Sequence, residues 1–67
     1  MEVIVNGNLE ELPAAITLAQ LLAKKDLKPG QVAIEHNGDL IKAEELEKVE
    51  LEAKDQVEII SFVGGGS

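Results

Sequence analysis

The residues best suited to chemistry in this chain are its last four, Gly64, Gly65, Gly66 and Ser67. They follow a run rich in β-branched residues at positions 57–62, which predicts a strand. Glycine has no Cβ, so such a segment could enter a narrow channel and present a terminal carboxylate to a partner. The same composition also suits a frayed terminus or a leftover linker. The sequence therefore predicts a flexible glycine-rich tail, residues 64–67, and leaves open whether a partner uses it.

Reactive side chains are scarce in the rest of the chain. The absence of cysteine excludes a disulfide framework, a thiolate metal site and a persulfide carried on a side chain. His36 is the one histidine, and we expect it to be exposed beside a turn because nothing could complete a metal site around it. No general acid–base pair, Ser/His/Asp arrangement or phosphate-binding loop stands out. We therefore expect no catalytic residues, no metal and no bound cofactor.

Length and charge restrict the class of partner. A chain of 67 residues forms one small domain, with too little interior for a deep catalytic pocket. Thirteen acidic residues against six basic ones give a formal net charge of −7, which argues against nucleic-acid and acidic-membrane binding. A basic protein surface is the more suitable partner. The lack of cysteine is compatible with the cytoplasm, where we expect the protein to be. We see no signal peptide and no apolar run of about 18 residues, so we expect no membrane span.

Tight-turn signals divide the chain into strands. Asn-Gly pairs at positions 6–7 and 37–38 favour type I′ hairpins, because both central residues of that turn need positive φ. The predicted strands cover residues 1–5, 8–12, 32–36, 40–41 and 57–62. Residues 43–48 are predicted as one helical turn or a loop.

One main helix is predicted to begin at Thr17. Thr17 and Gln20 have the spacing of a capping box, and Leu18, Leu21 and Leu22 form an apolar stripe that a sheet can cover. The order of elements predicts an α+β fold, with a mixed sheet of four to five strands packed on one main helix. The domain is expected to cover residues 1–63.

The last strand also predicts a surface for a partner. Strand alternation places Glu58, Ile60 and Phe62 on the face away from the helix, and Ile4 of the first strand on the same face. Large apolar side chains on an open sheet face, close to the glycine tail, suit a protein-docking patch. If the register is shifted by one residue, these side chains belong to the core instead.

Over essentially its whole length the chain resembles the ThiS family, the β-grasp sulfur carriers of thiamin biosynthesis. The resemblance rests on the length, the opening at residues 3–7, the leucine stripe of the helix and the hairpin at residues 37–38. Its specific part is the ending at residues 55–66, because a strand running into a C-terminal diglycine is rare. The resemblance implies a ubiquitin-like β-grasp fold.

The resemblance also implies a role for the main chain. In the family, an E1-like adenylyltransferase of the ThiF type uses ATP to join the terminal glycine carboxylate to AMP. Sulfur from a donating enzyme then replaces the adenylate, and a thiazole synthase of the ThiG type takes the sulfur from the thiocarboxylate. Gly65 and Gly66 would be the diglycine, and Gly66 would carry the thiocarboxylate. The chain would thus be a protein co-substrate and not an enzyme.

One departure and three alternatives stay open. The family ends at glycine and this sequence ends at Ser67, so either Ser67 is removed or a chain ending there is not competent. The alternatives are the small subunit of molybdopterin synthase, a ubiquitin-like modifier joined through glycine to lysine, and a β-grasp interaction module with an inert tail.

Overall fold

The computed structural model describes residues 1–62; residues 63–67 lie outside the described part. Within residues 1–62 the fold has five strands and one helix: β1 (Glu2–Val5), β2 (Asn8–Glu11), α1 (Leu18–Lys24), β3 (Val32–His36), β4 (Asp39–Ile41) and β5 (Gln56–Ser61). Short 3₁₀ turns at Pro29–Gln31 and Ala43–Glu45 complete the set. The strand order is β2-β1-β5-β3-β4. Because β1 and β5 run parallel while the other neighbours are antiparallel, the sheet is mixed, as the sequence predicted.

Both predicted hairpins form with the backbone that their Asn-Gly pairs favour. Asn6 and Gly7 have φ of 51° and 83°, and Asn37 and Gly38 have φ of 51° and 91°. Positive φ at both central positions is the type I′ geometry, whose twist matches that of the flanking strands. Each local turn thus fixes the register of one antiparallel pair, β1 with β2 and β3 with β4.

The helix begins where the sequence predicted. Thr17 is the N-cap, its Oγ1 accepts from the Gln20 amide at 3.1 Å, and the Gln20 Oε1 accepts from the Thr17 amide at 2.9 Å. Two further amides of the first turn donate to carbonyls of the segment that leads to β5, Leu18 to Val49 and Ala19 to Leu46. The free donors at the start of α1 are therefore satisfied by a second part of the chain, which joins the helix to the β4–β5 connection.

One hydrophobic core lies between the helix and one face of the sheet. The predicted stripe of Leu18, Leu21 and Leu22 is fully buried in it. The other buried apolar residues come from the strands and loops: Val3, Val5, Leu12, Ile16, Val32, Ile34, Leu46, Leu51 and Val57. Since alternate residues of β1, β3 and β5 enter this core, the remaining residues of those strands face away from the helix.

The observed element ends differ slightly from the predicted ones. β2 stops at Glu11, and Leu12 is buried outside the strand. β5 begins at Gln56 and ends at Ser61, so Phe62 follows the strand instead of closing it. The segment predicted as one helical turn or a loop is the 3₁₀ turn at Ala43–Glu45.

Candidate docking face and carrier tail

The chain leaves the sheet from its central strand. β5 lies between β1 and β3, and one residue beyond it the Phe62 amide donates to the Gln31 carbonyl at 2.8 Å. This bond holds the backbone against the 3₁₀ turn that precedes β3. The predicted tail begins two residues later. Gly64, Gly65 and Gly66, the predicted thiocarboxylate residue among them, lie outside the described residues.

The exposed apolar side chains gather on the open face, which we define as the sheet face opposite α1. Within residues 1–62 the exposed large apolar side chains are Leu9, Leu40, Ile60 and Phe62, at 66%, 70%, 51% and 66% exposure. Leu9 pairs with Ile4, Leu40 with Glu35 and Ile60 with Ala33, and these three partners alternate with buried residues of β1 and β3. The register therefore places Leu9, Leu40 and Ile60 on the open face, and Phe62 continues the alternation of β5 one residue past its end. Such a concentration of apolar surface is typical of an interaction site.

The four residues of the predicted patch share this face. Ile60 and Phe62 are exposed, so the alternative register that would bury them is wrong. Ile4 lies on the same face but is half-buried, because Leu9 stands directly opposite on β2. Glu58 is exposed and stands opposite Glu35 of β3. The sequence did not single out Leu9 and Leu40, because their distance from the patch depends on the strand order.

The charges of the sheet have one sign. The five strands contain no lysine, although the chain has six basic residues. Their acidic residues are Glu2, Glu10, Glu11, Glu35, Asp39 and Glu58. Glu10 and Asp39 lie on the helix side, because they pair with Val3 and His36. The other four lie on the open face, which is therefore apolar and acidic and complements a basic, apolar protein surface.

His36 is placed differently from the expectation of an exposed side chain. Its Nε2 lies 2.8 Å from Oδ2 of Asp55, and the two side chains are only 20% and 13% exposed. Asn37 donates to the other oxygen of Asp55 at 3.2 Å, and the Glu52 amide donates to Oδ2 at 2.9 Å. The imidazole thus ties the β3–β4 hairpin to the loop before β5. The sequence could not predict this contact, because 19 positions separate the two residues.

The same contacts change the acidity of Asp55. Burial raises the pKa of this carboxyl, but the hydrogen bonds from His36, the Glu52 amide and Asn37 lower it by more. The net result is a pKa below the ordinary value of 3.8. Because every oxygen of Asp55 is engaged in holding two loops together, the group acts as a structural clamp.

Within the described residues the fold offers no enclosed site. Residues 1–62 form no pocket, and no group of three histidine or acidic side chains among them could hold a metal ion. No helix in this part of the chain is long and apolar enough to cross a membrane. The features of the described structure that suit recognition are therefore those of the open face.

Comparison with known proteins identifies the family. The model of the ThiS family matches residues 3–66. The chain superimposes on the crystal structure of the thiamine biosynthesis protein ThiS from Geobacter metallireducens with a TM-score of 0.83 and 26% identity, over 98% of this chain and 100% of that one. The architecture is therefore the ubiquitin-like β-grasp that the resemblance implied.

Curated relatives agree with this assignment. The sulfur carrier protein ThiS of Bacillus subtilis is 42% identical over 50 residues, which cover 75% of this chain and 76% of the relative. The chain belongs to the ThiS family, and the resemblance stated from its sequence is confirmed.

A second group of relatives is much longer. A thiazole synthase of Paramagnetospirillum magneticum is 30% identical over 67 residues, which are 100% of this chain but 21% of that protein. A thiazole synthase of Magnetococcus marinus is 33% identical over 66 residues, 20% of its length. The chain therefore spans about a fifth of the thiazole synthases that it matches.

Proposed function

We propose that this protein is a sulfur carrier that supplies sulfur for the thiazole moiety of thiamin, with Gly66 as the residue that carries it. The observation that supports the proposal most directly is the family match over residues 3–66, because it extends to Gly66 and leaves out Ser67. The absence of cysteine agrees with it, since sulfur held on the main chain needs no thiol side chain.

The chemistry requires an activated carboxylate. An oxygen of the Gly66 carboxylate attacks the α-phosphorus of ATP, pyrophosphate leaves, and the carboxylate becomes an acyl-adenylate. Hydrosulfide released by a donor enzyme then attacks the acyl carbon, loses its proton, and AMP departs with the oxygen. The C–O bond to AMP is replaced by a C–S bond, which leaves a thiocarboxylate. All catalytic groups belong to the partner enzymes. The carrier supplies a surface for docking and a tail that brings its carboxylate to the reaction centre.

Two partners follow from this proposal. One is an adenylating enzyme of the ThiF type, which docks on the open face through Ile4, Glu58, Ile60 and Phe62. The other is a thiazole synthase, and the relatives that combine a matching segment with a thiazole synthase in one chain support it. Gly66 is the fourth residue after Phe62, so a fully extended tail spans at most about 13–14 Å. The reaction centre of either partner must lie within that distance of Phe62.

The identity of the last residue tests the proposal. A chain that ends at Ser67 places its carboxylate about 3.3–3.6 Å further along than one that ends at Gly66, and it adds a Cβ and a hydroxyl. A displacement of about 1 Å at a reacting centre can already cost a hundredfold in rate. We therefore expect the chain ending at Gly66 to be a good substrate and the chain ending at Ser67 a poor one.

Both chains are prepared, mixed with ATP and the cognate adenylating enzyme, and followed by mass spectrometry for the acyl-adenylate and the thiocarboxylate. A matched control is the chain ending at Gly65, which is too short by one residue. Equal rates for the chains ending at Gly66 and Ser67 would contradict the role of Gly66. If neither reacts while the enzyme activates another carrier, the sulfur-carrier proposal is wrong.

A further inference from the structure

Two carboxylates stand directly opposite each other at the middle of the open face. The register of β3 and β5 pairs Glu35 with Glu58. Directly opposite residues of an antiparallel pair have Cβ atoms about 4.5–5.5 Å apart, and like charges there destabilise the sheet. None of the ion pairs formed within residues 1–62 includes either carboxylate. The folded domain thus holds two like charges together without a cation of its own.

Two exposed apolar side chains flank this carboxylate pair. Leu40 stands opposite Glu35 on the outer side, and Ile60 follows Glu58 along β5 on the same face. Both are exposed, at 70% and 51%. A partner that covers Leu40 and Ile60 would also remove Glu35 and Glu58 from water. A charged group that is buried in this way needs a partner of opposite charge.

The presence of two adjacent carboxylates favours arginine as that partner. A guanidinium is planar, presents five donors and can bond two carboxylates at once, whereas the lysine ammonium is a compact, strongly hydrated charge. The guanidinium is also more weakly hydrated, so it enters an apolar surrounding at lower cost. The strands themselves contain no lysine that could occupy the site.

We propose that the Glu35–Glu58 carboxylate pair receives an arginine from a basic, apolar docking surface of the thiazole synthase, with Leu40 and Ile60 packed around it. This inference rests on the sulfur-carrier function proposed above, and the thiazole synthases that contain a segment matching this chain point to that enzyme as the partner. It also accounts for the unfavourable pairing of two acids in the free domain, since the repulsion is relieved only in the complex.

The test uses the full chain, its cognate thiazole synthase and three variants: Glu35→Gln, Glu58→Gln and the double variant. Glutamine keeps the size of the side chain and removes its charge. Glu47→Gln is the matched control, because Glu47 is exposed, lies outside the strands and changes the net charge by the same amount. The dissociation constant is measured by titration calorimetry at low and high salt, and the melting temperature by circular dichroism.

We expect each single variant to weaken binding at least about tenfold, because one partner of a desolvated charge pair is lost. The effects of the two substitutions should not add, since both remove bonds to one guanidinium. The melting temperature of the free domain should stay the same or rise, because the like-charge repulsion is removed. The control should change the affinity by less than about twofold.

Affinities of Glu35→Gln and Glu58→Gln within twofold of the control would overturn the inference. So would purely additive effects, which would mean that the two carboxylates bind separate groups. A single-turnover assay of sulfur transfer, from the thiocarboxylate of the chain ending at Gly66 to the thiazole synthase, distinguishes this failure from failure of the function. If the unsubstituted chain ending at Gly66 transfers sulfur while the variants bind normally, only the arginine site is wrong. If it transfers none, the proposed function fails as well.

Discussion

Truncation of Leu21 tests whether the helix holds the domain together. Leu21 is 1% exposed and belongs to the stripe that seals α1 onto the sheet. Leu21→Ala removes three carbon atoms, worth about 2.4 kcal/mol at ~0.8 kcal/mol per methylene, and the cavity left behind raises the cost to about 2–5 kcal/mol. A domain of 67 residues has a free energy of unfolding of about 3–10 kcal/mol. We therefore expect the variant to lose much of its stability.

The assay is urea unfolding followed by far-ultraviolet circular dichroism, because the chain has no tryptophan or tyrosine to serve as a fluorescent probe. If the free energy of unfolding falls by about 1 kcal/mol per molar urea, the unfolding midpoint should fall by about 2 M or more. Leu40→Ala is the matched control: the chemical change is identical, but Leu40 is 70% exposed, and the expected cost is below about 0.5 kcal/mol. Equal midpoint shifts for the two variants would refute the assignment of α1 as the cover of the core.

Three further predictions concern the docking face, the Asp55 clamp and the helix cap. Phe62→Asp should weaken binding of the adenylating enzyme in a titration while the melting temperature changes little, because the side chain is exposed; a globally unfolded variant would contradict its placement. Asp55 has a lowered pKa in the folded state, so its contribution to stability is present above its ordinary pKa of 3.8 and is lost as the pH falls through the lowered value. Asp55→Asn should therefore lose less stability than the unsubstituted chain as the pH falls below about 4 in acid titrations. If the two chains lose the same free energy of unfolding over that range, Asp55 does not act as a clamp. Thr17→Ala should cost about 1 kcal/mol in urea unfolding, because the Gln20 amide loses its acceptor, and an unchanged midpoint would show that the capping box is dispensable.

Local signals in the sequence determined the parts of the fold that could be predicted. The Asn-Gly turns at residues 6–7 and 37–38 need positive φ, and the Thr17–Gln20 capping box satisfies helix donors, so each depends on neighbours in the chain alone. Successive side chains of β5 point to opposite faces of the sheet, and this alternation predicted which of them face away from the helix. These three kinds of signal account for the strands, the helix and the exposure of Ile60 and Phe62.

Contacts between distant segments could not be predicted in the same way. The His36–Asp55 hydrogen bond and the Glu35–Glu58 pairing form only when β5 lies beside β3. Local sequence patterns do not determine which strands are neighbours in the sheet. For the same reason Leu9 and Leu40 were not recognised as parts of the open face. Their exposure follows from the strand order β2-β1-β5-β3-β4, which brings the hairpins to opposite edges of one face.

The position of β5 links the docking face to the tail. β5 is hydrogen-bonded on both sides, to β1 and β3, and the Phe62 amide is held by the Gln31 carbonyl one residue past its end. The chain is therefore fixed to the sheet up to Phe62. The distance from Phe62 to the carboxylate of Gly66 is then limited by the length of residues 63–66. Because Ile60 and Phe62 of the open face lie on this same stretch, a partner that covers them also fixes the point from which the glycines extend. The chemistry proposed at the Gly66 carboxylate would need this coupling, since reaction at a distant centre requires both a defined origin and a defined length.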